Sequence, residues 1–246
     1  MRTLNFQHVG RQMSESFLTA AVLSISGGLQ DVYTYVSRGE VFANAQTGNI
    51  VLLGQNLVDR NWRMCVHYAV PLLFFALGIA AAECIKQKFQ NMQQFHWRQI
   101  VVLWIRQSFQ NAQRLHWRQI ILLIEIVLLF LVGFMPEEQN LIANALVSFS
   151  CAMQVQSFRK VASYAFASTM CIGNLRSGME ALCSYQQNHN KQMLYKSFHY
   201  FGIIFLFALG AGIGSRFIPI LGMHTIWISC LLLLVGFIVM FKQEER

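Results

Sequence analysis

Charge is scarce in this chain. Asp, Glu, Lys and Arg make up 12% of its 246 residues, while hydrophobic residues make up 55%; a soluble domain carries roughly 25% charged residues. Too few charges remain to cover a water-facing surface, and the hydrophobicity is far too high for a disordered chain. Proline is also rare, at three residues, so long helices meet few breaks. The six cysteines, Cys65, Cys84, Cys151, Cys171, Cys183 and Cys230, never form C-x-x-C, and no two histidines stand as H-x-x-x-H. A zinc site and a disulfide framework are thereby not indicated. There is no G-x-G-x-x-G, no Walker loop and no Ser/His/Asp or Cys/His set at a recognisable spacing. No cofactor, no metal and no catalytic residue is expected, and the chain is not read as an enzyme.

What is present is a series of long apolar runs, near residues 17–36, 67–84, 119–135, 140–158, 198–217 and 220–241. Each is about long enough to cross a bilayer as a helix. Pro71, Pro136 and Pro219 are expected at or near the ends of these runs. Two further segments, 41–58 and 165–183, are apolar only in part. The first is interrupted by Asn44, Gln46, Thr47, Gly48 and Asn49, the second by Ser168, Thr169, Gly173, Asn174 and Arg176.

The net charge of +8 suggests nucleic acid in a soluble protein, but in a membrane chain basic loops fix orientation and touch anionic lipid. Residues 85–118 hold Lys86, Lys88, Arg98, Arg106, Arg114 and Arg118 and no acid, so this loop is expected in the cytoplasm. Glu137 and Glu138 then fall outside; Arg159 and Lys160, and both termini, fall inside. If 41–58 crossed fully, the basic loop would lie outside, as an eight-span plan requires. Six crossings, with 41–58 and 165–183 as broken or re-entrant segments, keep it inside.

Two repeats stand out. Residues 85–104 match 105–124 at 12 of 20 positions. A period of 20 residues is about 200° out of phase on one helix, which reads as a duplication lengthening the loop, with Phe95 and Trp104 able to dip into lipid. The other repeat is faint. Ser26-Gly-Gly-Leu-Gln30 resembles Ser150-Cys-Ala-Met-Gln154, Phe42 to Asn49 resembles Phe166 to Asn174, and Phe75-Ala-Leu-Gly78 resembles Phe207-Ala-Leu-Gly210, at offsets of 124, 124 to 125, and 132. With three crossings in each half, 1–136 and 137–246, the second half is inverted relative to the first. This is the 3+3 plan of secondary transporters with broken helices. The fold expected is therefore all-α, integral to a membrane.

Ser26-Gly-Gly-Leu-Gln-Asp31, Val41-Phe-Ala-Asn-Ala-Gln-Thr-Gly-Asn-Ile50 and Phe166–Arg176 resemble the YoaK-like family of bacterial multi-pass membrane proteins, a group with a domain of unknown function. Thr47-Gly48-Asn49 matches the family's T-G-N, and the second copy reads Ile172-Gly173-Asn174-Leu175-Arg176, with its threonine replaced. The resemblance covers most of 15–240 and implies a bacterial inner-membrane location and no particular activity.

Asn44, Thr47, Gly48, Asn49, Thr169, Gly173, Asn174 and Arg176 are the candidate substrate-binding residues. The glycines permit sharp turns or close helix approach, the Asn and Thr side chains replace lost backbone hydrogen bonds or hold a ligand, and a helix beginning there aims its positive end at a small anion. Tight helix packing explains the same residues equally well. Arg176 faces an anionic substrate or pairs with Glu180 at i,i+4. Asp31 and Glu125 are the candidates for proton or ion coupling, because acids inside a membrane are costly; Asp31 has Val155 as its counterpart, and a backbone-bonded interfacial acid is its alternative. The function expected is secondary transport of a small polar or anionic solute, with a non-transporting scaffold or assembly protein as the alternative. The expected partners are membrane lipid, the solute and further copies of the chain as a homo-oligomer, and not nucleic acid.

Overall fold

The computed structural model describes residues 17–94, 116–161, 164–165 and 169–242. Residues 95–115 of the duplicated copies lie outside the described residues, as do the N-terminal arginines and Arg246. Among the described residues the chain is helical: α1 (Phe17–Ser37), α2 (Gln46–Val58), α3 (Trp62–Gln94), α4 (Trp117–Val132), α5 (Asn140–Ser157), α6 (Cys171–Asn188), α7 (Lys191–Leu221) and α8 (Ile226–Lys242). The exception is a minimal antiparallel pairing of Lys160–Val161 with Tyr164–Ala165, ahead of α6.

The helices follow the apolar runs, and α3 and α7 overshoot theirs. α3 begins before its run and continues past it, so Pro71 lies inside a helix instead of at its end; Pro219 likewise lies within α7. Hydropathy marks the part of a helix that shuns water, and hydrogen bonding continues beyond it. The last two runs are divided at a 3-10 turn over Gly222–Thr225, so α7 takes in Ile218–Leu221.

Two stretches, Trp62–Gln90 and Lys191–Met240, are long and apolar enough to cross a membrane. The distribution of side chains agrees with membrane association. Leu73, Leu77, Phe205, Leu209, Leu231 and Val235 face outward, while Thr19, Ser24, Ser26, Gln30, Asn49, Glu125, Asn144 and Ser148 are buried. A soluble protein buries the first kind of residue and exposes the second. A membrane protein pairs its polar groups inside the bundle.

Contacts along the helices give their directions. α7 runs parallel to α1: Phe17 meets His199, Ile25 meets Gly210 and Val32 meets Gly214. α5 runs against α1, with Leu23 bonded to Gln154, Gln30 to Cys151 and Arg38 to Asn144. α3 is parallel to α5, since Gly78 lies on Phe149 and Glu83 accepts from Gln156. α4 follows α1 in direction, through Gln30–Glu125 and Arg38–Val132. α8 opposes both α1 and α4, through Ser26–Ser229 and Phe130–Trp227. The main helix pairings join α1 with α7 and α8, α5 with α3 and α4, α4 with α8, and each of α2 and α6 with the helix that follows it. Two crossings are especially close. A Cβ on Gly78 would run into the Phe149 carbonyl oxygen, and one on Gly210 into the Ile25 carbonyl oxygen.

Candidate functional site

α1 ends at Ser37, the chain turns at Arg38–Glu40, and an irregular stretch leads to α2. Irregular backbone inside a bundle needs substitute partners, and Asn49 provides them. Its Oδ1 accepts the Phe42 N–H at 3.0 Å, and its Nδ2 donates to the Phe42 carbonyl at 2.7 Å and to Gln46 Oε1 at 2.9 Å. Asn49 thus clamps the irregular stretch to the first turn of α2. Gly48 lies under the Phe42 ring, where a Cβ would come within 2.9 Å of it, whereas Thr47 is exposed.

Asn44 faces α1. Its N–H donates to Asp31 Oδ1 at 2.7 Å and its Nδ2 to the Gly27 carbonyl at 3.2 Å, while its own Oδ1, buried, has no partner. The backbone N–H groups of Ala43 and Ala45 also face the Asp31 carboxylate. The positive end of α2, expected from sequence to receive an anion, is therefore met by the protein's own acid. Asp31 is thus an acid bonded to backbone and buried at the broken segment.

The second segment arrives at the same place. Thr169 stands two residues before α6, as Asn44 stands two before α2. It is buried, its methyl group packs on Gly27, and its Oγ1 has no partner. Asn174 is buried in the first turn of α6, as Asn49 is in that of α2. Gly173 departs from expectation, and Arg176 takes the second of its two readings. Gly173 is exposed with open space where a Cβ would stand, so neither close packing nor a turn uses it; Gly178, packed by Tyr200 and Phe201, makes the contact with α7. Arg176 points outward and pairs with Glu180 at 2.8 Å, with side chains 82% and 63% exposed. It is not brought to the other candidates. The face of α6 that turns inward carries Asn174, Gly178 and Ala181 instead.

Glu125 occupies a second buried polar centre on the other side of α1. Gln30 Nε2 donates to Glu125 Oε1 at 3.2 Å and to Ser26 Oγ at 3.0 Å; Ser26 Oγ is 2.9 Å from Ser229 Oγ, and Cys151 donates to Gln30 Oε1. Gln30 thus ties α1, α4 and α5 together.

Arg38 is the residue that sequence reasoning missed. It is fully buried. Nε donates to Tyr33 Oη at 2.9 Å, Nη1 to the Pro136 carbonyl and Asn140 Oδ1, and Nη2 to the Val132 carbonyl at 2.9 Å. It collects the carbonyl end of α4, where a cation is favoured. The only hint in the sequence is an arginine directly after an apolar run, which is also how an ordinary end-of-span anchor looks. Beside it a cavity of about 960 Å³ opens where α1 ends and α3 begins, lined by residues that include Asn61, Arg63, His67, Glu137 and Glu138.

Helices with buried polar side chains and exposed apolar ones, two of the helical stretches being long and apolar enough to cross a bilayer, are those of a helical protein associated with a membrane. The chain belongs to the family described as protein of unknown function (DUF1275), whose model matches residues 19–239. The YoaK-like resemblance carried by the T-G-N motif is to this same family. No curated protein and no solved structure matches the chain.

Proposed function

We propose that this is an integral membrane protein of six crossings that carries a small polar solute across a bacterial inner membrane as a secondary transporter, with both termini in the cytoplasm. In this reading residues 1–136 and 137–246 are inverted halves, α1, α3 and α4 in the first answering α5, α7 and α8 in the second. The helix directions support it, because each helix opposes its counterpart and the six alternate along the chain. The packing supports it too: exchanging counterparts turns the α1–α7 contact into α5–α3, and the Ile25–Gly210 contact into Phe149–Gly78. At 13 residues, α2 is about 20 Å long, short of a bilayer core of about 30 Å. In this reading α2 is re-entrant from outside, and α6, its counterpart in the inverted half, is re-entrant from inside.

The observation that carries transport is the meeting of the two breaks. Asn44 and Thr169, 125 residues apart in sequence, touch the same glycine of α1, and each leaves a buried oxygen unpartnered. Packing alone favours paired polar groups, whereas a site between inverted halves is what alternating access requires.

Cysteine labelling tests the topology. In a cysteine-free background, Asp59→Cys is expected to react with an impermeant maleimide in intact cells, and His189→Cys only after permeabilisation. An eight-span chain reverses the first result. Flux of candidate solutes into vesicles reconstituted with the protein tests transport; Asn44→Ala is expected to abolish flux while the protein remains folded. Absence of flux for every polar solute class returns the protein to the scaffold reading.

A further inference from the structure

We propose that Asp31, Asn44 and Thr169 form a binding site for one monovalent cation of the sodium class. This deepens the transport reading by naming an ion at the same site. Three oxygens are available: the Asp31 carboxylate, Asn44 Oδ1 and Thr169 Oγ1. The last two are buried, belong to residues each 7% exposed, and accept no hydrogen bond. Their positions are tied together through Gly27. Asn44 Nδ2 is bonded to its carbonyl, the Thr169 methyl packs on the space where its side chain would be, and Asp31 follows one turn later on the same face of α1. Cys171, two residues past Thr169, lies within electrostatic reach of Asp31, which places the second break close to the carboxylate.

The chemistry selects the ligand. Asp31 has no ion-pair partner among the described residues, and the buried cation just past the end of its helix, Arg38, is engaged with neutral acceptors there. A buried carboxylate is compensated by a cation or by a proton, and a bridging water supplies no charge; the two free oxygens beside Asp31 favour the cation, which they can ligate. One acid calls for one positive charge, so a divalent ion would leave the site charged. Oxygen donors suit hard cations, and irregular backbone between helix segments is where such ions are held in membrane carriers. The Asn44 amide oxygen and the Thr169 hydroxyl come from opposite halves, so a bound ion joins the two breaks.

The test is binding, read separately from transport. The full chain is purified in detergent and its melting temperature measured in sodium, potassium and choline chloride at matched ionic strength and fixed pH. Sodium is expected to raise the melting temperature saturably relative to choline. Asp31→Asn should remove the shift, and Thr169→Val should raise the half-saturating sodium concentration roughly tenfold, the loss of one ligand's interaction. Should Asp31→Asn fail to fold, Thr169→Val alone decides. Equal melting temperatures in sodium and choline overturn the proposal, as does a shift that both variants retain. A rise on lowering the pH without any response to sodium also overturns it, because a proton then takes the ion's place. A sodium shift without solute flux leaves the site standing and removes the transport reading; flux without a sodium shift does the reverse.

Discussion

Replacing Arg38 by methionine is expected to cost about 3–5 kcal/mol and to leave little folded protein after detergent extraction. The substitution keeps most of the side-chain volume, so the loss comes from hydrogen bonding. Four acceptors lose a donor together: the carbonyls of Pro136 and Val132 keep a backbone N–H, from Gln139 and Met135, whereas Tyr33 Oη and Asn140 Oδ1 lose the guanidinium that faces them. Each buried acceptor left bare costs about 1–3 kcal/mol, and the terms do not add fully because the neighbours relax. The same guanidinium fixes three elements, the end of α1, the last turn of α4 and the start of α5. Asn144 adds to the joint by donating to the Arg38 carbonyl at 2.8 Å. Lysine is no substitute, since one ammonium cannot reach acceptors spread around a planar fork. Arg38→Lys is expected to melt between wild type and Arg38→Met. Size-exclusion profiles and thermal melts of the three proteins check the order. A wild-type melting temperature in Arg38→Met would mean that the joint is held by the apolar contacts of Val132 and Tyr33 alone.

Arg38 also marks the boundary of what sequence reasoning reaches. The apolar runs are legible because a bilayer-length helix needs about 20 apolar residues, and all six runs are helical here. The two breaks are legible because small and polar residues interrupt the hydropathy. Asn44 and Asn49 then follow from the need of irregular backbone for partners. Helix ends are less legible, because nothing in hydropathy stops α3 at its apolar limit. The inward face of α6 is hidden for another reason. The helix is polar on several sides, so Gly173 and Arg176 look as eligible as Gly178, and only packing against Tyr200 and Phe201 separates them. The polar tie from Ser26 through Gln30 to Glu125 joins residues far apart in sequence; a faint repeat can align Gln30 with Gln154 but cannot pair it with α4. For Arg38, the charge is visible and its burial is not.

Valine at Gly78 and valine at Gly210 are expected to destabilise the protein to a similar degree, each by at least the 1–3 kcal/mol typical of overpacking. In both places the obstacle is a carbonyl oxygen of the facing helix, that of Phe149 or of Ile25. No rotamer change moves a backbone atom, so the helices must separate. Separation at the α1–α7 crossing would also draw α1 away from Thr169 and loosen the meeting of the two breaks. Separation at the α3–α5 crossing would disturb Cys151 and its bond to Gln30. Gly54 and Gly212 supply the control, since a Cβ at either meets nothing within 4 Å; alanine there removes backbone freedom from the unfolded chain and is expected to be neutral or slightly stabilising. Thermal melts of the four single variants in one detergent make the comparison. Equal losses at Gly78 and Gly210 are what inverted halves with equivalent crossings require. A severe loss at one with none at the other would mean that the two contacts, though alike in geometry, bear different loads, and the halves would then be related in sequence without being equivalent in the fold.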